Sequence, residues 1–146
     1  MTHLAKVLRM PRRIRDYCRI AVFTPGSLIL EQGQHYRSLI LIRAGIVESR
    51  RQVPTTTAVT KVIGVGESGN GFRTCVLGCG MALNGGGAFH GRKRQSQAVN
   101  PSGYAHLWVI DSDRLSDMEK SDLELFVAVL RLATSCNSER DDDRWD

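Results

Sequence analysis

The stretch from Ala21 to Gln52, AVFTPGSLILEQGQHYRSLILIRAGIVESRRQ, is a series of short apolar runs cut by Pro-Gly, Gln-Gly and Ala-Gly steps. No other feature restricts the fold as strongly. Leu28-Ile29-Leu30, Ser38 to Ile42 and Ile46-Val47 are short, β-branched and bounded by turn residues, so they read as strands. Turn signals about every 8–12 residues point to an antiparallel sandwich or barrel and away from a parallel sheet. Pro25 fixes φ and Gly26 supplies a positive φ, which together make a tight turn.

The remaining segments flank this sheet. Tyr104 to Ile110 (YAHLWVI) is a further strand. Ser116 and Glu119 form a capping box, and Met118, Leu123, Phe126, Val127 and Leu130 then recur at helical spacing. A C-terminal helix with one apolar face is therefore expected from about Ser116. Residues 1–20 read as a short basic helix or arm broken at Pro11. Residues 53–60 (VPTTTAVT) read as a loop or an irregular strand. Ten of the fourteen glycines fall within residues 64–91, a density that opposes helix and favours turns with close backbone approach.

Charge is unevenly spread. The net charge is +5, but residues 21–110 carry nine bases against three acids (Glu31, Glu48, Glu67), whereas residues 111–146 carry eleven acids and five bases. A basic body attracts anions. With 42% hydrophobic and 24% charged residues, the 146-residue chain suits one globular domain. No apolar run reaches the roughly 20 residues of a membrane span, and the basic N-terminus lacks the apolar core of a signal peptide. Cys18, Cys75, Cys79 and Cys136 are too scattered for a disulfide scaffold, so reduced thiols and a cytoplasmic setting are expected.

Phe23-Thr-Pro25-Gly26-Ser-Leu-Ile29-Leu-Glu-Gln-Gly33 and Leu39-Ile-Leu-Ile42-Arg-Ala-Gly45-Ile-Val47 resemble the first half of the cyclic-nucleotide-binding family. Leu107-Trp108-Val109-Ile110-Asp111-Ser-Asp-Arg114-Leu115 is similar to its last strand and the turn into its C-terminal helices. The resemblance covers about Ile20 to Leu132 and implies a mainly β fold with flanking helices: an antiparallel β-roll, or jelly roll, with an N-terminal helical arm and a C-terminal helix. Three parts follow: a basic helical arm over 1–19, a cyclic-nucleotide-binding-like domain over 20–136 and a charged tail over 137–146.

In that family a phosphate-binding cassette carries Gly-Glu, an apolar-Ala-apolar step and then an Arg followed by small residues. A short helix there aims backbone N–H groups at the cyclic phosphate, the Arg neutralises it and the Glu accepts from the ribose 2′-hydroxyl. Leu77 to Gly80 is similar to the turn before the cassette. By resemblance the ligand-binding residues are Gly85, Gly86, Gly87 and Ala88, then Arg94 as the phosphate arginine, Arg92 as second choice, and Ser96. Gly86 stands where the family has Glu, and no acid occurs between Glu67 and Asp111. An alternative register through Gly66-Glu67 and Arg73-Thr74 restores the acid but leaves 35 residues before Trp108, far too many. Loss of the carboxylate costs about 1–3 kcal/mol, and each helical glycine about 1 kcal/mol relative to alanine. Together these weaken the site by more than about a hundredfold.

Other motifs carry less. Gly64-Val-Gly66-Glu-Ser-Gly69 satisfies GxGxxG, but Asn70-Gly71 opposes the helix that a dinucleotide fold requires. GGAFHGRK over 86–93 lacks the hydroxyl of a phosphate-binding P-loop after Lys93. Cys75, Cys79, His90 and His106 lack zinc spacing, so no metal is expected. Arg50-Arg51 and Arg92-Lys93-Arg94 have no interleaved aromatics, and the chain ends too soon after its helix for a helix-turn-helix, so direct DNA binding is not expected. No catalytic constellation is visible. The sequence reads as a non-catalytic regulatory module with weak or lost binding of cAMP or cGMP, acting on a fused effector or protein partner. The alternative is a structural or protein-interaction domain that binds no nucleotide.

Overall fold

The computed structural model describes residues 14–52 and 72–135. The elements run β1 (Arg19–Phe23), β2 (Leu28–Leu30), β3 (Leu39–Ala44), β4 (Val47–Gln52), β5 (Phe72–Leu77), β6 (Ala82–Leu83), α1 (Gly85–His90), β7 (Gln97–Val99), β8 (Ala105–Ile110), α2 (Ser112–Ser121) and α3 (Leu123–Thr134). The basic arm up to residue 13, the threonine-rich stretch, the GxGxxG motif with Glu67, and the charged tail lie outside the described residues.

Two four-stranded sheets, ordered β1-β8-β3-β6 and β2-β7-β4-β5, face each other, and the strand pairs within them are antiparallel. This is the mainly antiparallel roll that the punctuated sequence requires. Alternation along the strands fills its interior: Ile40 and Ile42 of β3, Leu107 and Val109 of β8, Val47 of β4, Leu77 of β5 and Leu83 of β6 form one buried cluster. The opposite face of the first sheet, with Leu39, Leu41 and Ile110, packs against Leu115, Met118, Leu125, Val129 and Leu132 of the helices. The first four residues of β3 are all buried because both of its faces are covered.

The predicted turn glycines have positive φ: Gly26 at 81°, Gly33 at 91° and Gly45 at 92°. Gly45 is doubly constrained, since a Cβ there would lie 2.6 Å from the Tyr104 carbonyl oxygen. Buried Asn100 fastens the Pro-Gly turn: its Nδ2 donates to the carbonyls of Phe23, Thr24 and Gly103 at 3.1, 2.9 and 2.7 Å.

The C-terminal helix differs from the sequence expectation. It is two helices, and Ser116 lies inside the first and caps neither. Asp111 is the N-cap residue of α2, while Asp122 caps α3 by accepting from the Leu125 N–H at 3.3 Å. The break at Asp122 resets the helical phase. Leu123, expected on the buried face, is 61% exposed, and Leu125, Ala128, Val129, Leu132 and Ala133 are buried instead. None of the described helices is long and apolar enough to cross a membrane.

Candidate functional site

The site grows from the glycine triplet. Asn84 has the left-handed values φ 67° and ψ 32° and opens α1. Its side chain does not cap the helix; Nδ2 donates to the Tyr36 and Ser38 carbonyls at 2.9 and 2.8 Å. The first turn of α1 therefore has neither a side-chain cap nor an acidic residue. Backbone N–H groups at such a turn favour an anion.

Helix α1 is packed too closely for side chains at two of its three glycines. A Cβ on Gly87 would sit 2.3 Å from the Tyr36 carbonyl oxygen and 2.6 Å from Asn84 Oδ1, and one on Gly85 would sit 3.0 Å from the Ala133 carbonyl oxygen. Two of the glycines thus bring the helix backbone against β3 and α3. Phe89 adds an edge-to-face contact with Phe126 of α3, the ring centroids 6.0 Å apart. Gly91, at φ 64°, ends the helix, and its N–H donates to the Gly87 carbonyl at 3.2 Å.

The chain then runs back along the Glu31–His35 turn. Arg94 N–H donates to the Gln34 carbonyl and Gly33 N–H donates to the Arg94 carbonyl, both at 2.9 Å, while Lys93 bridges His35. This pairing turns Arg94 inward until it is only 6% exposed, and leaves Arg92 and Lys93 exposed. The Arg94 guanidinium donates to the Ser96 carbonyl through Nε and to Ser96 Oγ through a terminal nitrogen, both at 3.1 Å. Ser96 Oγ in turn lies 2.7 Å from Ser49 Oγ on β4, and both serines are buried.

Of the residues singled out from the sequence, Gly85 to Ala88 share α1, Arg94 and Ser96 form one buried polar cluster, and Arg92 faces out. Ser49 was missed. Its signal was alternation: Val47 and Ser49 share one side of β4, with Glu48 and Arg50 on the other. The same alternation puts half-buried Arg51 in phase with Ser49. Asn84 takes the left-handed conformation at the head of α1, and Gly85 and Gly86 follow it in the helix. Among the described residues no three His, Cys, Asp or Glu side chains cluster as metal ligands. Cys18 and Cys75 are half-buried and Cys79 is exposed.

The fold is that of cyclic-nucleotide-binding domains. The chain is similar, at TM-score 0.69 and 18% identity, to a cyclic nucleotide-binding domain from Methylobacillus flagellatus KT, covering 84% of this chain and 61% of that one. It is similar at TM-score 0.69 and 19% identity to the catabolite activator protein of Thermus thermophilus, with 91% and 55% covered. It also matches oxidized CprK in complex with o-chlorophenolacetic acid, at TM-score 0.60 and 12% identity, with 86% and 46% covered. The chain thus spans between about half and three fifths of the length of these three proteins. No protein-family model matches it, and no curated protein sequence does.

Proposed function

We propose that this chain is a non-catalytic regulatory module that weakly binds a cyclic nucleotide through its phosphate. The observation that carries this reading is buried Arg94, held by Ser96 in the segment that follows the uncapped helix α1. A guanidinium held in place by hydrogen bonds presents a planar fork of charged donors that suits a phosphate. Gly85 to Ala88 supply backbone donors, and Ser96 with Ser49 supplies hydroxyls. Exposed Arg92 is the second choice for the phosphate.

The same helix links ligand to effector. Helix α1 touches α3 at Gly85–Ala133 and Phe89–Phe126. An occupant that shifts α1 biases the placement of α3 by its difference in affinity for the two arrangements, and by no more than that. The effector is a fused domain or a separate protein, and the setting is the cytoplasm. The proposed domain runs over 20–136, between a basic arm and a charged tail. Direct DNA binding by this chain is not part of the proposal.

The test is a melting curve of the whole chain with millimolar cAMP or cGMP. At tenfold excess over Kd, mass action adds about 1.4 kcal/mol, a rise of roughly 3–5 °C. R94A should melt without responding to either nucleotide. If neither nucleotide moves the wild-type midpoint, the sensor reading fails and the chain is a protein-interaction roll. That second reading draws on the two exposed apolar residues of edge strand β1, Ile20 at 67% and Val22 at 51%.

A further inference from the structure

We infer that the cleft between α1, α2 and α3 is a second binding site, separate from Arg94, that takes a short zwitterionic peptide with apolar side chains. The cleft holds about 380 Å³, within the roughly 300–1,000 Å³ of small-molecule sites. Arg94 does not line it.

The floor is apolar and comes from all three helices. Ala88 and Phe89 of α1, Leu115 of α2 and Phe126 of α3 line it, and the edge-to-face contact of Phe89 with Phe126 joins α1 to α3 there. Leu115 is buried, whereas Ala88, Phe89 and Phe126 stay half-buried, so the fold leaves part of this aromatic surface uncovered.

One face of α2 supplies the wall. Ser112, Leu115, Ser116 and Glu119 recur at i, i+3, i+4 and i+7, and all four line the cleft. Glu119 thus sits about 10 Å along the helix from Ser112. Arg37 enters from the loop before β3, whose backbone is pinned on both sides of it. The Tyr36 and Ser38 carbonyls accept from Asn84 Nδ2 at the head of α1, and the Ser38 hydroxyl donates to Asp111, the residue before Ser112, at 2.7 Å. The cleft therefore has a cation at the Ser112 end and an anion two turns further on. Among the described residues, neither the Arg37 guanidinium nor the Glu119 carboxylate has an ion-pair or hydrogen-bond partner. An apolar floor between an unpaired cation and an unpaired anion complements a ligand with an acid at one end, an amine at the other and apolar groups between. Free peptides have that form, and the spacing sets the length, since three extended residues span about 10 Å.

The experiment titrates the ¹⁵N-labelled full chain by NMR with alanyl-phenylalanyl-alanine, its N-acetylated form and its C-terminal amide. The free peptide should move the amide signals of Ala88, Phe89, Ser116 and Phe126 on one curve, and each blocked form should bind at least about threefold more weakly. Arg37→Gln should weaken the free and acetylated peptides but not the amide. Glu119→Gln should weaken the free peptide and the amide but not the acetylated form. Both side chains are exposed, so neither change disturbs the core. No movement at about 10 mM free peptide, movement only elsewhere, or equal binding of the three peptides overturns the inference. None of these outcomes bears on cyclic-nucleotide binding, which is read at Arg94.

Discussion

Replacing Gly87 by alanine tests whether the glycine triplet is there for packing. The added Cβ would come within 2.3 Å of the Tyr36 carbonyl oxygen and 2.6 and 2.8 Å of the Asn84 amide atoms. Neither neighbour gives easily, because one is backbone and the other is a buried amide that bonds the Tyr36 and Ser38 carbonyls. Overpacking of this kind costs about 1–3 kcal/mol, and disturbing the two Asn84 bonds adds about 1 kcal/mol each. Alanine's better helix propensity returns about 1 kcal/mol. The net expectation is a loss of about 2–4 kcal/mol, read as a lower urea midpoint at unchanged m-value. G78A is the control, since a Cβ there meets nothing within 4 Å and its φ is not positive; it should be neutral or slightly stabilising. A G87A midpoint equal to that of G78A would refute the packing argument and return the triplet to a loose loop.

Further outcomes concern charge, thiols and ligand. The Arg19 and Ser38 hydrogen bonds hold the Asp111 carboxyl below its ordinary value. Its stabilisation is therefore present above the usual carboxylate range, near pH 4, and is lost as the pH falls through the lowered folded value. D111N should flatten that acid limb while costing less than about 1 kcal/mol at neutral pH, since the Asp111 side chain is 38% exposed; urea midpoints from pH 3 to pH 7 check it. Burial pushes the Cys18 thiol up to about 12, against a smaller opposing effect of Arg43, while Cys79 is exposed. Iodoacetamide at mildly alkaline pH should label Cys79 well before Cys18, read by peptide mass mapping, and the reverse order would contradict the burial. Cyclic nucleotide should raise the melting midpoint of wild type but not of R94A.

The parts of the fold legible in sequence are those where local chemistry and tertiary demand coincide. Pro25-Gly26, Gly33 and Gly45 mark turns whatever packs on them, and β3 and β8 carry enough β-branched and large apolar residues to be read as strands unaided. β6 and β7 were not legible, because two or three residues such as Ala82-Leu83 have no periodicity to detect. The helix boundary misled for a physical reason: Ser116-x-x-Glu119 satisfies the capping pattern, but Asp111 directly follows β8, so the strand delivers the chain into the helix one turn earlier. At the candidate site, Arg94 was singled out through its neighbours in sequence. Ser49 was not, because its partner Ser96 lies 47 positions away and only sheet pairing joins them. The glycine triplet looked like a cost to helix α1; the contacts of Gly85 and Gly87 show that the helix forms because those side chains are missing.

The central proposal is that an anion is held by Arg94 and by the backbone amides of Gly85 to Ala88. An NMR titration with cAMP that follows the amide signals of Gly85 to Ala88 and the Arg94 side-chain Nε–H tests it most directly. The account predicts that these signals move together, on one binding curve, ahead of those of β1 and β5. Movement confined to other residues, or an unmoved Arg94 signal at saturating ligand, would contradict it.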